Sequence, residues 1–172
     1  IISTIKFARE NKIPYFGLCY GMQLAVIEFA RNVAGIKGAT TREIDQNAEH
    51  LIITVMESQK DNLAKGVYGG TMRLGACTAY IGKDTVARAA YGAENVSERH
   101  RHRYEFNSAY RKEMETAGFV VSGTLEGGGL VEIAEVMGHP WMMGVQFHPE
   151  FQSKPTEPHP LFLGFIRAMA SC

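Results

Sequence analysis

The most constraining feature of the chain is a junction. A short apolar run, Ile13 to Leu18, passes directly into a helical pattern running from Gly21 to Ala34, and the joint is Gly17-Leu18-Cys19-Tyr20-Gly21. The run suits a buried strand. Beyond it, Met22, Val26, Phe29 and Val33 recur at helical spacing, and Leu24, Ile27 and Ala30 widen the stripe. Gly35 suits the C-terminal cap. A buried strand that turns at once into a mostly buried helix requires a sheet beside it and a helical layer above it.

The remaining patterns agree with that layering. Ser3 to Glu10 reads as the end of a helix, closed by Asn11 and Pro14. Strands are expected at His50 to Met56, Thr71 to Ile81, His100 to Phe106, Phe119 to Ser122, Leu130 to Val136 and Trp141 to Phe147, with a polar loop at Ser58 to Lys65. Ser108 is expected to cap a helix carrying Tyr110, Met114 and Ala117 and stopped by Gly118, and a last amphipathic helix runs from Pro160 to about Ala170. The alternation predicts an α/β fold with a largely parallel sheet. With 172 residues the chain reads as one domain, long enough to bury roughly two thirds of its unfolded surface without a disulfide or structural metal.

Charge and cysteine usage narrow the function. Lys plus Arg equals Asp plus Glu at 18 each, so the formal net charge is zero and the balance argues against nucleic acid or an anionic membrane as the main partner. No apolar run approaches a membrane span. The three cysteines, Cys19, Cys77 and Cys172, are scattered and odd in number, which fits a reducing, cytoplasmic setting. The chain opens on Ile1 and closes on Cys172, and is expected to be a piece of a longer polypeptide.

The joint itself carries chemistry. Gly17-Leu18-Cys19-Tyr20-Gly21 is a G-x-C-x-G pattern, the cysteine counterpart of the G-x-S-x-G nucleophile elbow. In such a turn the nucleophile takes an unusual backbone conformation, and glycine on each side is expected to avoid a clash. The helix N-terminus below is expected to lower the thiol pKa, and the Tyr20 backbone N–H is placed to stabilise an oxyanion. The plain alternative is a small buried hydrophobe. Downstream stands Gly144-Val145-Gln146-Phe147-His148-Pro149-Glu150. A strand delivers His148 to its end, and in extended backbone Glu150 lies on the same side. Together they supply a base for the thiol and a carboxylate to orient it. His148 would later return the proton to the leaving group.

G-L-C-Y-G-M-Q together with G-V-Q-F-H-P-E resembles the class I (triad) glutamine amidotransferases, over nearly the whole chain. Three further stretches, Gln23 to Val33, Gly69-Gly-Thr-Met-Arg-Leu-Gly75 and Glu98-Arg-His-Arg-His-Arg-Tyr-Glu105, resemble the CTP synthase branch of that family. The resemblance implies a three-layer, flavodoxin-like fold with a mostly parallel central sheet. It implies catalytic Cys19, His148 and Glu150, a γ-glutamyl thioester on Cys19, and L-glutamine held by Tyr20, Gly21, Met22, Gln23, Glu43, Arg103 and Tyr104. It implies no metal or cofactor in this domain. ATP, UTP and Mg2+ would belong to a synthetase domain that receives the ammonia and makes CTP, with GTP as an allosteric activator of the full enzyme and a homotetrameric assembly.

Two departures stand out. Tyr20 occupies a position where the branch usually carries Leu. The family's P-G-G-F-G loop, which supplies a second oxyanion donor, would lie before Ile1, so the N-terminal part of the domain is expected to be missing. One such donor is worth about 10²–10³ in rate.

Other features read more plainly. The His-x-His of Arg99-His100-Arg101-His102-Arg103 lacks a third clustered ligand, so zinc is not expected, and one edge of that strand should face the glutamine pocket. His139 and His159 each precede a proline and read as turn markers, Met142-Met143 reads as core packing, and Gly127-Gly-Gly129 reads as a loop. Two alternatives stay open: a free-standing γ-glutamyl hydrolase, and a catalytically silent docking module.

Overall fold

Alternation along one four-residue strand sorts the molecule into layers. In the computed structural model, which describes residues 1–55 and 72–171, Tyr15–Leu18 forms β1. Tyr15 packs into one hydrophobic cluster with Ile5, Met22 and Phe29, while Phe16 and Leu18 pack into a second with Trp141, Val145 and Leu161. Side chains two apart share a face, so a strand with a core on both sides must lie between two layers. The expected loop Ser58–Lys65, together with Met56, the Gly69–Thr71 part of the glycine-rich motif and Cys172, lies outside the described residues.

The first layer holds α1 (Ile2–Glu10) and α2 (Tyr20–Asn32). Their contact is fixed by a buried charge, because Glu28 is wholly buried and accepts from Arg9 Nε at 2.9 Å and Arg9 Nη2 at 2.9 Å. Met22, Val26, Ile27 and Phe29 are each nearly inaccessible. Each such burial contributes roughly 1.5–3 kcal/mol. The opposite layer holds α3 (Val86–Tyr91) and α5 (Pro160–Ala170), packed through Ala87 and Leu161.

Between them lies a six-stranded sheet in the order β1-β9-β8-β7-β4-β5, with β4 Arg73–Ile81, β5 Asn95–His102, β7 Phe119–Leu125, β8 Val131–Val136 and β9 Met142–Val145. A smaller sheet, β2-β3-β6, is built from Thr40–Thr41, Leu51–Val55 and Tyr104–Phe106. The α/β layering is as expected. Pairing direction is not: among the described residues β1–β9 and β2–β3 are parallel, and the other pairs are antiparallel. Connection length explains the difference. The parallel pair β1–β9 is joined by most of the chain, whereas β7, β8 and β9 follow one another through short turns that suit antiparallel neighbours.

Three local expectations change. The run expected as one strand from His100 to Phe106 divides at Arg103, where the chain leaves β4 and crosses to pair with β3. The helix expected to start at Ser108 is capped instead by Asn107, whose side chain accepts from the Ala109 N–H, and it opens as a 3-10 turn, Ser108–Tyr110, before α4 (Arg111–Thr116). Helix α3 has no counterpart among the sequence-based expectations. Its first turn is held by Glu135, which accepts from the Val86 and Ala87 N–H groups at 3.0 and 2.8 Å.

Candidate active site

Cys19 stands between β1 and α2 with φ 47° and ψ −101°, a left-handed conformation that a β-carbon disfavours. Two hydrogen bonds hold it there: its N–H donates to Val145 O at 2.7 Å, and its own carbonyl accepts from Gln23 N–H at 3.2 Å. Gly17 is required beneath the turn, since a β-carbon there would lie 2.6 Å from the Gly21 carbonyl carbon and 2.8 Å from Met22 N. Gly21 is not under the same demand. A β-carbon there would make only ordinary contact with the Tyr15 hydroxyl at 3.4 Å, so the two glycines of the motif are unequal.

Burial pushes the Cys19 thiol up, and the negative charges of Glu150 and Glu43 push the same way. The Tyr20 backbone N–H and the Gln146 side chain pull it down. The expected net lowering by the helix N-terminus is therefore corrected, because desolvation of the sulfur outweighs it.

His148 and Glu150 are joined at 2.6 Å between Nδ1 and Oε1. Their contact does not come from an extended strand. Strand β9 ends at Val145, and Pro149–Phe151 forms a 3-10 turn that brings the carboxylate back to the ring. Glu150 accepts from Nδ1–H, which leaves Nε2 as the basic ring nitrogen. The His148 N–H donates to Arg99 O at 2.9 Å, and the Phe151 ring stacks on the imidazole with centroids 5.2 Å apart.

Cys19, Tyr20, Gln23, Glu43, Arg103 and Tyr104 line one open cleft of ≈ 350 Å³, with Met72, Arg101 and His102. Six of the ten residues anticipated for the site thus meet in one wall. His148 and Glu150 lie outside that lining, although the charge of Glu150 reaches Cys19. The Met22 side chain is 1% exposed and belongs to the core, and the Gly21 carbonyl is occupied by the Tyr15 hydroxyl at 2.8 Å. Those two residues can offer a ligand only their N–H groups, so the side chain of Met22 drops out of the expected glutamine contacts.

Behind the cleft runs a buried polar chain that sequence patterns did not reveal. Gln23 Nε2 donates to Tyr104 O at 3.0 Å and to Gln146 Oε1 at 3.2 Å, and Gln146 Nε2 donates to Cys19 Sγ at 3.5 Å. From Tyr104 O the chain continues through His102 Nδ1 at 3.0 Å, His102 Nε2 to His100 Nδ1 at 3.0 Å, and His100 Nε2 to Glu132 Oε2 at 3.3 Å. Glu132 also accepts from Arg73. Burial first, then Arg73, lowers His100 to about 3 and His102 to about 4, so both rings are neutral at neutral pH. The exposure pattern of this strand, with Arg99 and Arg101 outside and His100 and His102 inside, was legible as alternation. Among the described residues no group of His, Cys, Asp and Glu is arranged to hold a metal ion, and no helix is long and apolar enough to cross a membrane.

Comparison with known proteins adds a family to this geometry. The family model described as Glutamine amidotransferase class-I matches residues 1–168. The chain is 55% identical over 168 residues to CTP synthase of Protochlamydia amoebophila, covering 98% of this chain and 30% of that protein. It is 55% identical to CTP synthase of Rubrobacter xylanophilus, covering 97% of this chain and 30% of that one. The chain therefore spans about 30% of the length of these curated relatives. Among solved structures, the Trypanosoma brucei CTPS glutaminase domain with bound acivicin superposes with a TM-score of 0.91 at 38% identity, covering 99% of this chain and 65% of that one. A glutamine amidotransferase from Thermotoga maritima shares the fold alone, with a TM-score of 0.52 at 15% identity, covering 87% of this chain and 46% of that one.

Proposed function

This chain belongs to the class I glutamine amidotransferase family, and from that premise we propose that it is the glutaminase domain of a CTP synthase. It releases ammonia from L-glutamine. Cys19 gives its proton to His148 Nε2 and its sulfur attacks the side-chain carbonyl carbon, with Glu150 holding the imidazolium. The proton returns from His148 to the departing nitrogen, leaving ammonia and a γ-glutamyl thioester. Water deprotonated by His148 then opens the thioester, releasing glutamate and restoring the thiol. Glu43 faces the α-ammonium of the substrate, Arg103 and Tyr104 position its polar groups, and the turn from Tyr20 to Gln23 completes the wall with the N–H groups of Tyr20, Gly21 and Met22.

The observation that carries this reading is the cleft in which Cys19 shares a wall with Glu43 and Arg103, one anionic and one cationic group suited to a zwitterionic amino acid. Residues 1–172 belong to one glutaminase domain, and the ammonia passes to a synthetase domain of the same polypeptide. That domain, not this one, takes ATP, UTP and Mg2+ and aminates UTP to CTP. GTP activates the full-length enzyme, which is a homotetramer in the cytoplasm. No cofactor is needed here.

Incubation with acivicin, read by intact mass with Cys19→Ala as control, tests the proposal. A single adduct lost in the control is expected. A folded protein that forms none would overturn it in favour of a docking role.

A further inference from the structure

We propose that Gln146 is a catalytic residue of this site, its side-chain amide holding an N–H on the Cys19 sulfur to stabilise the thiolate. The proposal rests on the glutaminase reading for the identity of the substrate, and on the hydrogen-bond chain for everything else.

An amide can be turned end for end without changing its shape, so the direction of each glutamine must come from its partners. Here one backbone group decides both. Tyr104 O can only accept, so the Gln23 atom 3.0 Å from it is the amide nitrogen. The second hydrogen of that nitrogen faces the Gln146 side chain at 3.2 Å, and the atom receiving it must be Oε1. The nitrogen of Gln146 is then the end that meets Cys19 Sγ at 3.5 Å. Reversing Gln146 would set a carbonyl oxygen against the sulfur and a donor against a donor.

The array is also fixed in place. Gln23 and Gln146 are 4% and 1% exposed, so water does not compete for their amides. Gln146 N–H donates to Glu132 O at 2.8 Å, and the residue before it, Val145, accepts from Cys19 N–H at 2.7 Å. The donor therefore sits one residue past the end of β9, the strand paired with β1, which leads into the elbow. Such a preorganised donor needs no reorientation when charge develops.

A neutral thiol accepts hydrogen bonds weakly and a thiolate strongly. The Gln146 contact is thus worth most after the Cys19 proton has moved to His148, and the amide proton stays on its nitrogen throughout. It opposes the burial that holds the sulfur protonated.

The test follows iodoacetamide alkylation of the Cys19 peptide by mass spectrometry across a pH series, a reaction that requires no glutamine pocket. In Gln146→Met the alkylation midpoint is expected to rise by about one pH unit, roughly tenfold slower reaction below the midpoint with the same plateau above it. A merely structural glutamine would change stability and leave the midpoint in place, and an unchanged midpoint in folded Gln146→Met overturns the proposal. Where that variant fails to fold by circular dichroism, Gln23→Met takes its place. It frees the Gln146 amide to turn and is expected to raise the midpoint by a smaller amount, with no rise overturning the proposal. A midpoint that shifts in protein that acivicin does not label retains the hydrogen bond and removes the glutaminase reading. The converse result removes the hydrogen bond alone.

Discussion

Gly17 and Gly144 stand opposite each other in register on β1 and β9, and both lie under the first turn of α2. Together they form a trough that lets the helix start descend to the sheet, which places Cys19 at the sheet edge. A β-carbon at position 144 would meet Met22 Cγ at 2.7 Å and its backbone Cα at 2.9 Å. Gly144→Ala is therefore expected to cost about 1–3 kcal/mol by overpacking. It should also slow covalent labelling of Cys19, because the elbow is lifted. Urea unfolding and labelling rate, measured on the same protein, check both parts.

The 2.6 Å contact between His148 and Glu150 sets which ring nitrogen is basic. Glu150→Gln keeps the size of the side chain and can hold the other tautomer, with Nε2 protonated. Glutamine hydrolysis is expected to fall by roughly 10²–10⁴ in kcat with little change in KM. The Glu150 side chain is 44% exposed, so water partly replaces it and the lower end of that range is expected. Steady-state kinetics on the two proteins gives the answer.

What the sequence revealed, and what it did not, divides along physical lines. The elbow was legible because strand period, helix period and two glycines all changed at one residue, Cys19. The His148–Glu150 pair was legible from spacing, although a 3-10 turn brings the two together, not an extended strand. Gln146 escaped notice because its role depends on Tyr104 O and Gln23, which no local pattern connects to position 146. Helix α3 escaped because six residues give too few turns for a periodicity, although its caps, Thr85 and Gly92, are local; the carboxylate that also holds its first turn, Glu135, is distant in sequence. The sheet crossing at Arg103 escaped because strand propensity continues through it.

Glu98 ties three elements together beside the 3-10 turn that carries Glu150. It accepts from the Tyr91 hydroxyl at 2.6 Å and from Gln152 Nε2 at 2.7 Å, and it meets His159 Nε2 at 2.8 Å. Gln152 closes the 3-10 turn that carries Glu150, and His159 caps α5. Removing a buried, paired carboxylate strands its partners, so Glu98→Ala is expected to cost about 3–5 kcal/mol. Its activity should fall below what the lost stability explains. Comparing kcat at a temperature where both proteins are folded separates the two effects.

Glu105 supplies a pH dependence of stability. Burial pushes its carboxyl up to about 7, against the pull of Arg73, and its Oε2 has no hydrogen bond. The folded state then holds a proton that the unfolded chain releases above its ordinary value of about 4.5. The contribution of Glu105 is complete below that value and is lost as pH rises toward 7. Glu105→Gln lacks the titration, so its urea midpoint relative to the unaltered protein is expected to rise over that window and then level off. A difference that is flat with pH would refute the assignment.

The facing pair His100 Nε2 and Glu132 Oε2 makes the last prediction. Each atom is buried and otherwise without a hydrogen bond, and they are 3.3 Å apart. The ring states follow from the chain of bonds. His102 Nδ1 must donate to Tyr104 O, so His102 Nε2 accepts from His100 Nδ1–H, and His100 Nε2 is bare when the ring is neutral. A bare nitrogen facing a carboxylate oxygen is repulsive, and one proton between them removes the repulsion. Burial pushes the Glu132 carboxyl up, so the carboxyl can carry that proton while its other oxygen accepts from Arg73. Glutamine reproduces this pattern, with Oε1 toward Arg73 and Nε2–H toward His100. Glu132→Gln is therefore expected to stay within about 1 kcal/mol of the unaltered protein at neutral pH, whereas Glu132→Ala, which takes the carboxyl partner from both the half-buried Arg73 and the buried His100, should lose about 3–5 kcal/mol. If Glu132→Gln proves as destabilised as Glu132→Ala, the carboxyl is ionised and the proton resides on His100.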